Sequence, residues 1–183
     1  PSAAPRSRAG EDAGYFRNWA QVRQAALDAG IPPWIFVQSL GMDGGKAIPT
    51  KADLLWQINV SLAYGCKGIQ YVTYWTPDPA RGGGYTGALL TADGKRTKLY
   101  RAAKLINNNY LSEVGKVLLP MRPAMVQAAN LTDPPEGLPA DEYLRDATGD
   151  PVVLGAPSRK RTHPARGGCW SRTTPGTRAR PYG

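Results

Sequence analysis

The stretch "WIFVQSLGMDGGKAIPTKADLLWQINVSLAYGCKGIQYVTYWTP", residues 34–77, contains the pattern that decides the fold. It opens with a short run of aromatic and β-branched residues, which predicts a buried strand that ends at Gln38. A glycine-rich loop leads into a helical pattern, and "GIQYVTYW" at 68–75 then predicts a second strand. Two strands that are joined by a full helix run parallel, with a right-handed crossover.

Capping signals mark both ends of the helix inside this stretch. Thr50 is placed as an N-cap, with Asp53 three residues later as its capping-box partner, and Gly65 follows the last turn. The apolar residues of this helix fall on one face: Leu54, Leu55, Ile58 and Leu62. The sequence therefore predicts a helix that begins at Lys51 and covers one side of the two strands.

Helical patterns flank the unit on both sides. Residues 15–30 predict a helix with Gly30 at its C′ position, and Thr97 predicts the cap of a third helix over 98–115. The predicted buried positions are Phe16, Trp19, Val22, Ala26 and Leu27 in the first helix, and Leu99, Ala103, Ile106, Tyr110 and Val114 in the third. The order helix, strand, helix, strand, helix predicts an α/β fold.

Composition divides the chain into four segments. Residues 1–14 are expected to be a disordered or non-native leader, and residues 15–119 hold the α/β pattern. Residues 120–155 contain "AMVQAAN" and "DPVVLG", two short strands that predict the start of a β-rich accessory domain. Residues 156–183 lack Val, Ile, Leu, Met and Phe, so we expect a disordered basic tail. An Arg-, Pro- and Gly-rich run of this kind is what a shifted reading frame in GC-rich DNA would encode.

The net charge of +9 comes from the two ends of the chain. Nine basic residues and no acidic ones lie in residues 1–10 and 156–183, and removing them from the total of 23 leaves 14 basic residues against 14 acidic ones. The central part is therefore neutral, which argues against a specific nucleic-acid partner.

Other composition signals exclude further classes of site. No apolar run approaches the roughly 18 residues that span a bilayer, so no membrane association is expected. The sole histidine, His163, lies in the tail, and the two cysteines make neither a disulfide framework nor a metal site. We expect no cofactor and no metal. The first ten residues lack the apolar region of a signal peptide, but the sequence starts at Pro1 and a targeting segment can lie upstream of it, so the compartment stays open between secreted and cytoplasmic.

Three segments carry a resemblance to a known family: "YFRNWAQVRQAALDAGIPPWIFVQS", "IPTKADLLWQINVSLAYGCKGIQYVTYW" and "TKLYRAAKLINN". Together they resemble the last part of a bacterial glycoside-hydrolase-like (β/α)8 barrel of the β-galactosidase-like kind, over about residues 15–119. The resemblance implies an incomplete barrel that holds the last two strands and their helices, followed by the β-rich accessory domain. An intact barrel takes about 250 residues, so the N-terminal barrel portion is the missing partner.

The resemblance also implies a function for the carboxyl ends of the two strands, where barrel enzymes keep their chemistry. Gln38 would hydrogen-bond a sugar hydroxyl, while Tyr74 or Trp75 would offer a ring to a sugar face. The alternative is that Gln38 caps its strand and Trp75 fills the barrel. Carbohydrate is the expected partner, and the parent family hydrolyses O-glycosyl bonds of β-glycosides.

The catalytic carboxylates that the resemblance requires are missing. Glycosidases use two carboxyl groups about 5–9.5 Å apart, and in the related barrels these follow strands four and seven. Strand four is not in this chain, and the strand that would be the seventh ends in Gln38. Asp43 and Asp78, in the loops after the two strands, are the nearby candidates, although Asp in a Gly- or Pro-rich loop is commonly a turn former.

Three functions follow from these observations. The first is a glycosyl hydrolase fragment that has part of the sugar-binding rim and is inactive alone. The second is a non-catalytic carbohydrate-binding protein, and the third is a basic nucleic-acid-binding protein. A glutamate after strand four in the upstream sequence would favour the first over the second. The third rests on the isoelectric point alone.

Overall fold

The computed structural model describes residues 11–43, 47–78, 80, 83–129 and 152–159. In chain order the elements are α1 (Glu11–Ala29), β1 (Trp34–Gln38), β2 (Gly41–Met42), α2 (Lys51–Ala63), β3 (Gly68–Val72), β4 (Tyr85–Thr86), α3 (Lys98–Leu105), a π-helical segment (Ile106–Leu111), α4 (Ser112–Leu118), β5 (Met121–Ala129) and β6 (Val152–Arg159). This mixture of helices and strands confirms the prediction of an α/β class.

The strands β1 and β3 form a parallel pair around which the rest is built. Trp34 is level with Gly68 at one end, and Gln38 is level with Val72 at the other. The predicted parallel arrangement of these strands, joined by α2, is confirmed. The peptide bond between Val72 and Thr73, directly after β3, is cis.

Helix α2 begins where its cap predicts. The side-chain oxygen of Thr50 accepts a hydrogen bond from the Asp53 N–H at 3.2 Å, and the Asp53 carboxylate accepts one from the Thr50 N–H at 2.7 Å. This reciprocal pair is the predicted capping box. Gly30 after α1 has a φ of 68° and Gly65 after α2 a φ of 87°, the left-handed conformation expected at a helix end.

The main hydrophobic cluster lies on one face of the strand pair. Val37 of β1 packs there with Leu54 and Ile58 of α2, and both leucine and isoleucine are fully buried. Its other buried members are Leu89, Leu99, Ala102, Ala103 and Ile106. The helices α2 and α3 thus cover this face. Of the predicted buried positions in the second and third helices, five are buried and four are partly buried, the latter being Leu55, Leu62, Tyr110 and Val114.

The opposite face of the strand pair is exposed, which corrects the prediction that β1 is a buried strand. Trp34 is 62% exposed and Phe36 is 69% exposed. An apolar run without alternation is typical of a strand covered on both faces, but the described residues cover only the side that carries Ile35 and Val37. The predicted burial of Val22 and Leu27 on α1 is also wrong, since they are 40% and 39% exposed.

A second cluster joins α1 to the C-terminal strands. Phe16 and Trp19 of α1 pack with Tyr64, Cys66 and Val126, all of them buried. Trp19 stacks on Tyr64 with ring centroids 5.7 Å apart. The antiparallel strands β5 and β6 sit against α2, where a Cβ on Gly155 would lie 2.3 Å from the Ala63 carbonyl oxygen. Glycine at this position permits the close approach.

The third predicted helix is interrupted. Its cap is as predicted, since Thr97 accepts a hydrogen bond from the Tyr100 N–H, but the helix changes to π geometry over Ile106–Leu111 before α4 resumes. Two hydrogen bonds anchor this segment: the Tyr71 hydroxyl donates to Asn107 Oδ1 at 2.8 Å, and the Tyr110 hydroxyl donates to Asn59 Oδ1 at 2.7 Å. Periodicity alone predicted one α-helix.

The elements differ from the predicted segment boundaries at two places. Helix α1 begins at Glu11, four residues before the expected boundary at 15, and β6 runs to Arg159, four residues past the expected boundary at 155. The predicted strands "AMVQAAN" and "DPVVLG" correspond to parts of β5 and β6. The expected disorder of residues 1–10 and 160–183 lies outside the described residues.

Candidate functional site

The candidate residues lie at one end of the strand pair. Gln38 is the last residue of β1 and is level with Val72, the last residue of β3, so the segment that carries Tyr74 and Trp75 leaves the sheet beside Gln38. Ser39, the residue after β1, links the ends of the two strands. Its N–H donates to the Val72 carbonyl at 2.8 Å, and its hydroxyl donates to the Thr73 carbonyl at 3.0 Å. Gln38 and the segment that carries Trp75 therefore lie at the same end of the strand pair, as expected, but β3 ends at Val72 and the predicted strand over 68–75 is too long by three residues.

Two short strands connect the loops that follow β1 and β3. Gly41 and Met42 of β2 pair antiparallel with Thr86 and Tyr85 of β4, and the Asp43 N–H donates to the Gly84 carbonyl at 2.7 Å. A Cβ on Gly41 would lie 2.9 Å from the Thr86 hydroxyl oxygen, so glycine allows the two loops to approach. The loops therefore form one surface beyond the strand ends.

Gln38 uses its side-chain amide within the protein. Its Nε2 donates to the carbonyl oxygens of Leu40 at 2.9 Å and of Ala47 at 3.3 Å. Both donors of the amide are therefore used within the protein, and only Oε1 can accept a hydrogen bond from a ligand. The side chain of Gln57 also accepts from the Gln38 N–H at 2.8 Å. These contacts fit the alternative that Gln38 caps its strand and orders the following loop.

Trp75 presents its ring to solvent while its polar end is held. The indole Nε1–H donates to the Ala92 carbonyl at 3.1 Å, and the side chain is 51% exposed. The turn at residues 91–95 lies beneath this ring and is called the supporting turn. A Cβ on its Gly94 would lie 3.5 Å from Trp75 Cη2. Among the described residues, Trp75 belongs to neither hydrophobic cluster. A ring of fixed orientation with an open face can pack against C–H groups of a ligand.

The turn that supports Trp75 has its own ion pair. Lys95 Nζ lies 2.7 Å from Asp93 Oδ2. The hydrogen bond from Lys95, followed by one from Thr91, holds the pKa of the Asp93 carboxyl below its usual value. Because both charged groups are well exposed, this pair contributes little to stability.

Two tyrosines extend the aromatic surface. Tyr74 is 54% exposed and meets Tyr100 edge-to-face at 6.4 Å, and the guanidinium of Arg96 lies 5.0 Å from the centre of the Tyr100 ring. Tyr85, on β4, is 42% exposed. Sequence reasoning missed Tyr85, although an aromatic residue directly after three glycines was a usable signal.

The two candidate carboxylates occupy turn positions. Asp78 Oδ1 accepts a hydrogen bond from the Ala80 N–H at 3.0 Å, the Asx-turn arrangement of a turn former. The Asp43 side chain lies against Gly84, where an ideal Cβ would be 3.2 Å from Asp43 Oδ2. Both residues are exposed, so neither carboxylate lies in an enclosed, water-excluding environment.

A cavity of about 390 Å³ lies between the start of β3 and α4, lined by residues that include Lys67, Ile69, Asn107 and Leu118, and no candidate residue borders it.

Within the part of the chain that the structure describes, no three His, Cys, Asp or Glu side chains group as a metal site would require. The described helices also include none with the length and hydropathy of a bilayer-spanning helix.

A scan against protein-family models and a search of curated proteins find no match to this chain.

Proposed function

We propose that this chain is the C-terminal portion of a glycoside-hydrolase-like (β/α)8 barrel, and that it contributes part of a carbohydrate-binding rim. The observation that carries the proposal is the exposed ring of Trp75, held by its indole N–H beside the carboxyl end of a parallel strand. Tyr74 and Tyr85 extend this surface, and Asp43 and Gln38 Oε1 supply acceptors for sugar hydroxyls. The missing N-terminal barrel portion would complete the rim in the parent protein.

The chain by itself is proposed to bind β-glycosides without hydrolysing them. General-acid assistance to a leaving oxygen is worth about 10²–10⁴ in rate, and it needs a carboxyl group that holds its proton near neutral pH. Asp78 is a turn residue and Asp43 is exposed, while the amide of Gln38 neither protonates a leaving group nor attacks an anomeric carbon. We therefore expect no measurable turnover of aryl β-glycosides.

Trp75→Ala tests the binding proposal. With a nitrophenyl β-galactoside as the probe, we expect weak binding by the full chain, detected by saturation-transfer NMR, and its loss in Trp75→Ala because the apolar sugar face loses its platform. Trp56→Ala is the matched control, since Trp56 is also 44% exposed but belongs to α2 and packs on Tyr15. Equal binding by both variants would contradict the proposal.

The same samples test the absence of catalysis. Release of nitrophenolate by the purified chain, abolished by Asp43→Ala or Asp78→Ala, would make the loop aspartates catalytic and the chain an enzyme by itself. Binding without release would support a non-catalytic carbohydrate-binding role, whether the chain acts alone or as part of a larger barrel.

A further inference from the structure

Arg96 lies beside the aromatic surface of the candidate site. Its backbone pairs antiparallel with Leu90, and Leu90 pairs on its other side with Trp75, so Arg96 and Trp75 flank one extended segment. Paired segments lie about 4.8 Å apart, and the two backbones are therefore two such spacings from each other. The Leu90 N–H donates to the Tyr74 carbonyl and the Thr76 N–H donates to the Leu90 carbonyl, both at 2.9 Å. These hydrogen bonds fix Arg96 relative to the segment that carries the exposed rings.

The guanidinium of Arg96 lies against the same group of aromatic side chains. Its central carbon is 5.0 Å from the centre of the Tyr100 ring, and that ring meets Tyr74 edge-to-face at 6.4 Å. Tyr74 is 54% exposed and belongs to the proposed sugar-binding surface. A guanidinium that lies over an aromatic ring can still direct its N–H groups to an anion.

The charge of Arg96 has no carboxylate partner among the described residues. The nearest acidic residue in sequence, Asp93, is engaged by Lys95 at 2.7 Å, and the described ion pair on α4 joins Lys116 to Glu113. Arg96 is also exposed. Its guanidinium is therefore accessible to an anionic group of a ligand that packs on the neighbouring rings.

We propose that Arg96 makes this surface prefer an acidic β-glycoside, a uronide, whose carboxylate meets the guanidinium while its ring packs on Tyr74 and Trp75. This inference rests on the proposed function and names its substrate class. A guanidinium and a carboxylate form two parallel charge-assisted hydrogen bonds. A neutral hexoside has a hydroxymethyl group at the carbon that carries the carboxylate, so it forms no ion pair there. Arg96 is thus a specificity-determining residue.

The experiment compares two probes that differ only at that carbon: a nitrophenyl β-galactoside and the corresponding nitrophenyl β-galacturonide. Their dissociation constants are measured by NMR titration of the full chain at neutral pH. The galacturonide should bind about two- to fivefold more tightly, as an exposed ion pair allows. The preference should shrink as the salt concentration rises, because salt screens exposed charges.

Arg96→Gln separates this ion pair from the general attraction of a basic chain for anions. It should bring the ratio of the two dissociation constants to about one. Arg101→Gln is the matched control, since Arg101 is also exposed, lies next to Tyr100 on α3 and removes the same charge. This control should keep the preference of the unmodified chain.

The outcomes distinguish this inference from the proposed function. Equal affinity of the unmodified chain for both probes, or equal loss of the preference in Arg96→Gln and Arg101→Gln, would overturn the role of Arg96 and leave carbohydrate binding in place. A preference that persists in Arg96→Gln, or a parallel loss of affinity for both probes, would also overturn it, the latter by making Arg96 a structural residue only. Failure of both probes to bind the unmodified chain would overturn the proposed function together with this inference.

Discussion

At the scale of single residues, burial determines the chemistry of the one cysteine in the described fold. Cys66 is 2% exposed, and its thiol donates to the Gly68 carbonyl at 3.0 Å. Burial, the largest influence, raises the pKa of the thiol above its ordinary value of 9.0, although nearby backbone hydrogen bonds oppose the shift. Cys66 therefore serves as a packing residue of the second hydrophobic cluster, with Phe16 and Trp19 of α1, and its thiol is unreactive.

The raised pKa of Cys66 gives a prediction about reactivity and pH. In a Cys169→Ser chain, whose only thiol is Cys66, alkylation at neutral pH should be slower than in denaturant, because burial lowers the thiolate fraction and keeps the reagent away from the sulfur. The folded state keeps this proton at pH values where the unfolded state has lost it. The free energy of unfolding should therefore decrease as pH rises above the ordinary pKa of the thiol. Equal alkylation rates in buffer and in denaturant would contradict the assignment.

At the scale of elements, side-chain hydrogen bonds hold the π-helical segment in place. Tyr71 of β3 donates to Asn107, and Tyr110 reaches back to Asn59 of α2, so the segment is tied to both the strand pair and the central helix. π-helical segments are rare. Here Asn107 and Tyr110, which make the two hydrogen bonds, both belong to the π-helical segment. The element therefore depends on tertiary partners.

Asn107→Ala tests this dependence. Loss of the Tyr71–Asn107 hydrogen bond should lower the free energy of unfolding by about 1 kcal/mol in urea denaturation. Asn108→Ala is the control on the same segment, because Asn108 is exposed and the hydrogen bond it makes to Ser112 uses its backbone carbonyl. Both substitutions change helix propensity equally, so their difference isolates the Asn107 contact. The double variant with Tyr71→Phe should cost little more than either single change, whereas full additivity would show that the pair is not coupled.

At the scale of the whole molecule, the excess of positive charge lies outside residues 11–159. Residues 11–159, which include all of β6, hold 15 basic residues against 14 acidic ones, whereas the two ends carry the remaining positive charge. Any binding to DNA should therefore reside in residues 1–10 and 160–183, and it should be electrostatic.

Truncation to residues 11–159 tests this separation. The full chain should bind duplex DNA with an affinity that falls steeply as salt increases, because each neutralised phosphate adds about 0.9 to the logarithmic slope. The truncated chain should have a slope near zero at equal protein concentration. A steep slope in the truncated chain would show that the folded part has a phosphate-binding surface of its own.

Local signals in the sequence were sufficient for the central strand–helix–strand unit of this fold and for its helix caps. The capping box of Thr50 and Asp53, the C′ glycines, and the strand–helix–strand order all depend on residues within a few positions of one another. The chain follows them because backbone hydrogen bonds and caps are satisfied locally. The same reasoning located Gln38 and Trp75 at one end of adjacent strands, because parallel strands joined by one helix leave no other arrangement.

Only the tertiary structure decided which faces are buried and how the site residues are engaged. The apolar run of β1 is equally compatible with one covered face or two, and the exposure of Trp34 and Phe36 depends on what packs against the sheet. Periodicity could not reveal the π-helical segment, whose partners Tyr71 and Asn59 are 36 and 51 residues distant in sequence. Likewise, the contacts of the β2–β4 pair, which presents Tyr85, join two loops that are distant in sequence. They form when the folded backbone brings the two loops together, and no local sequence pattern encodes them.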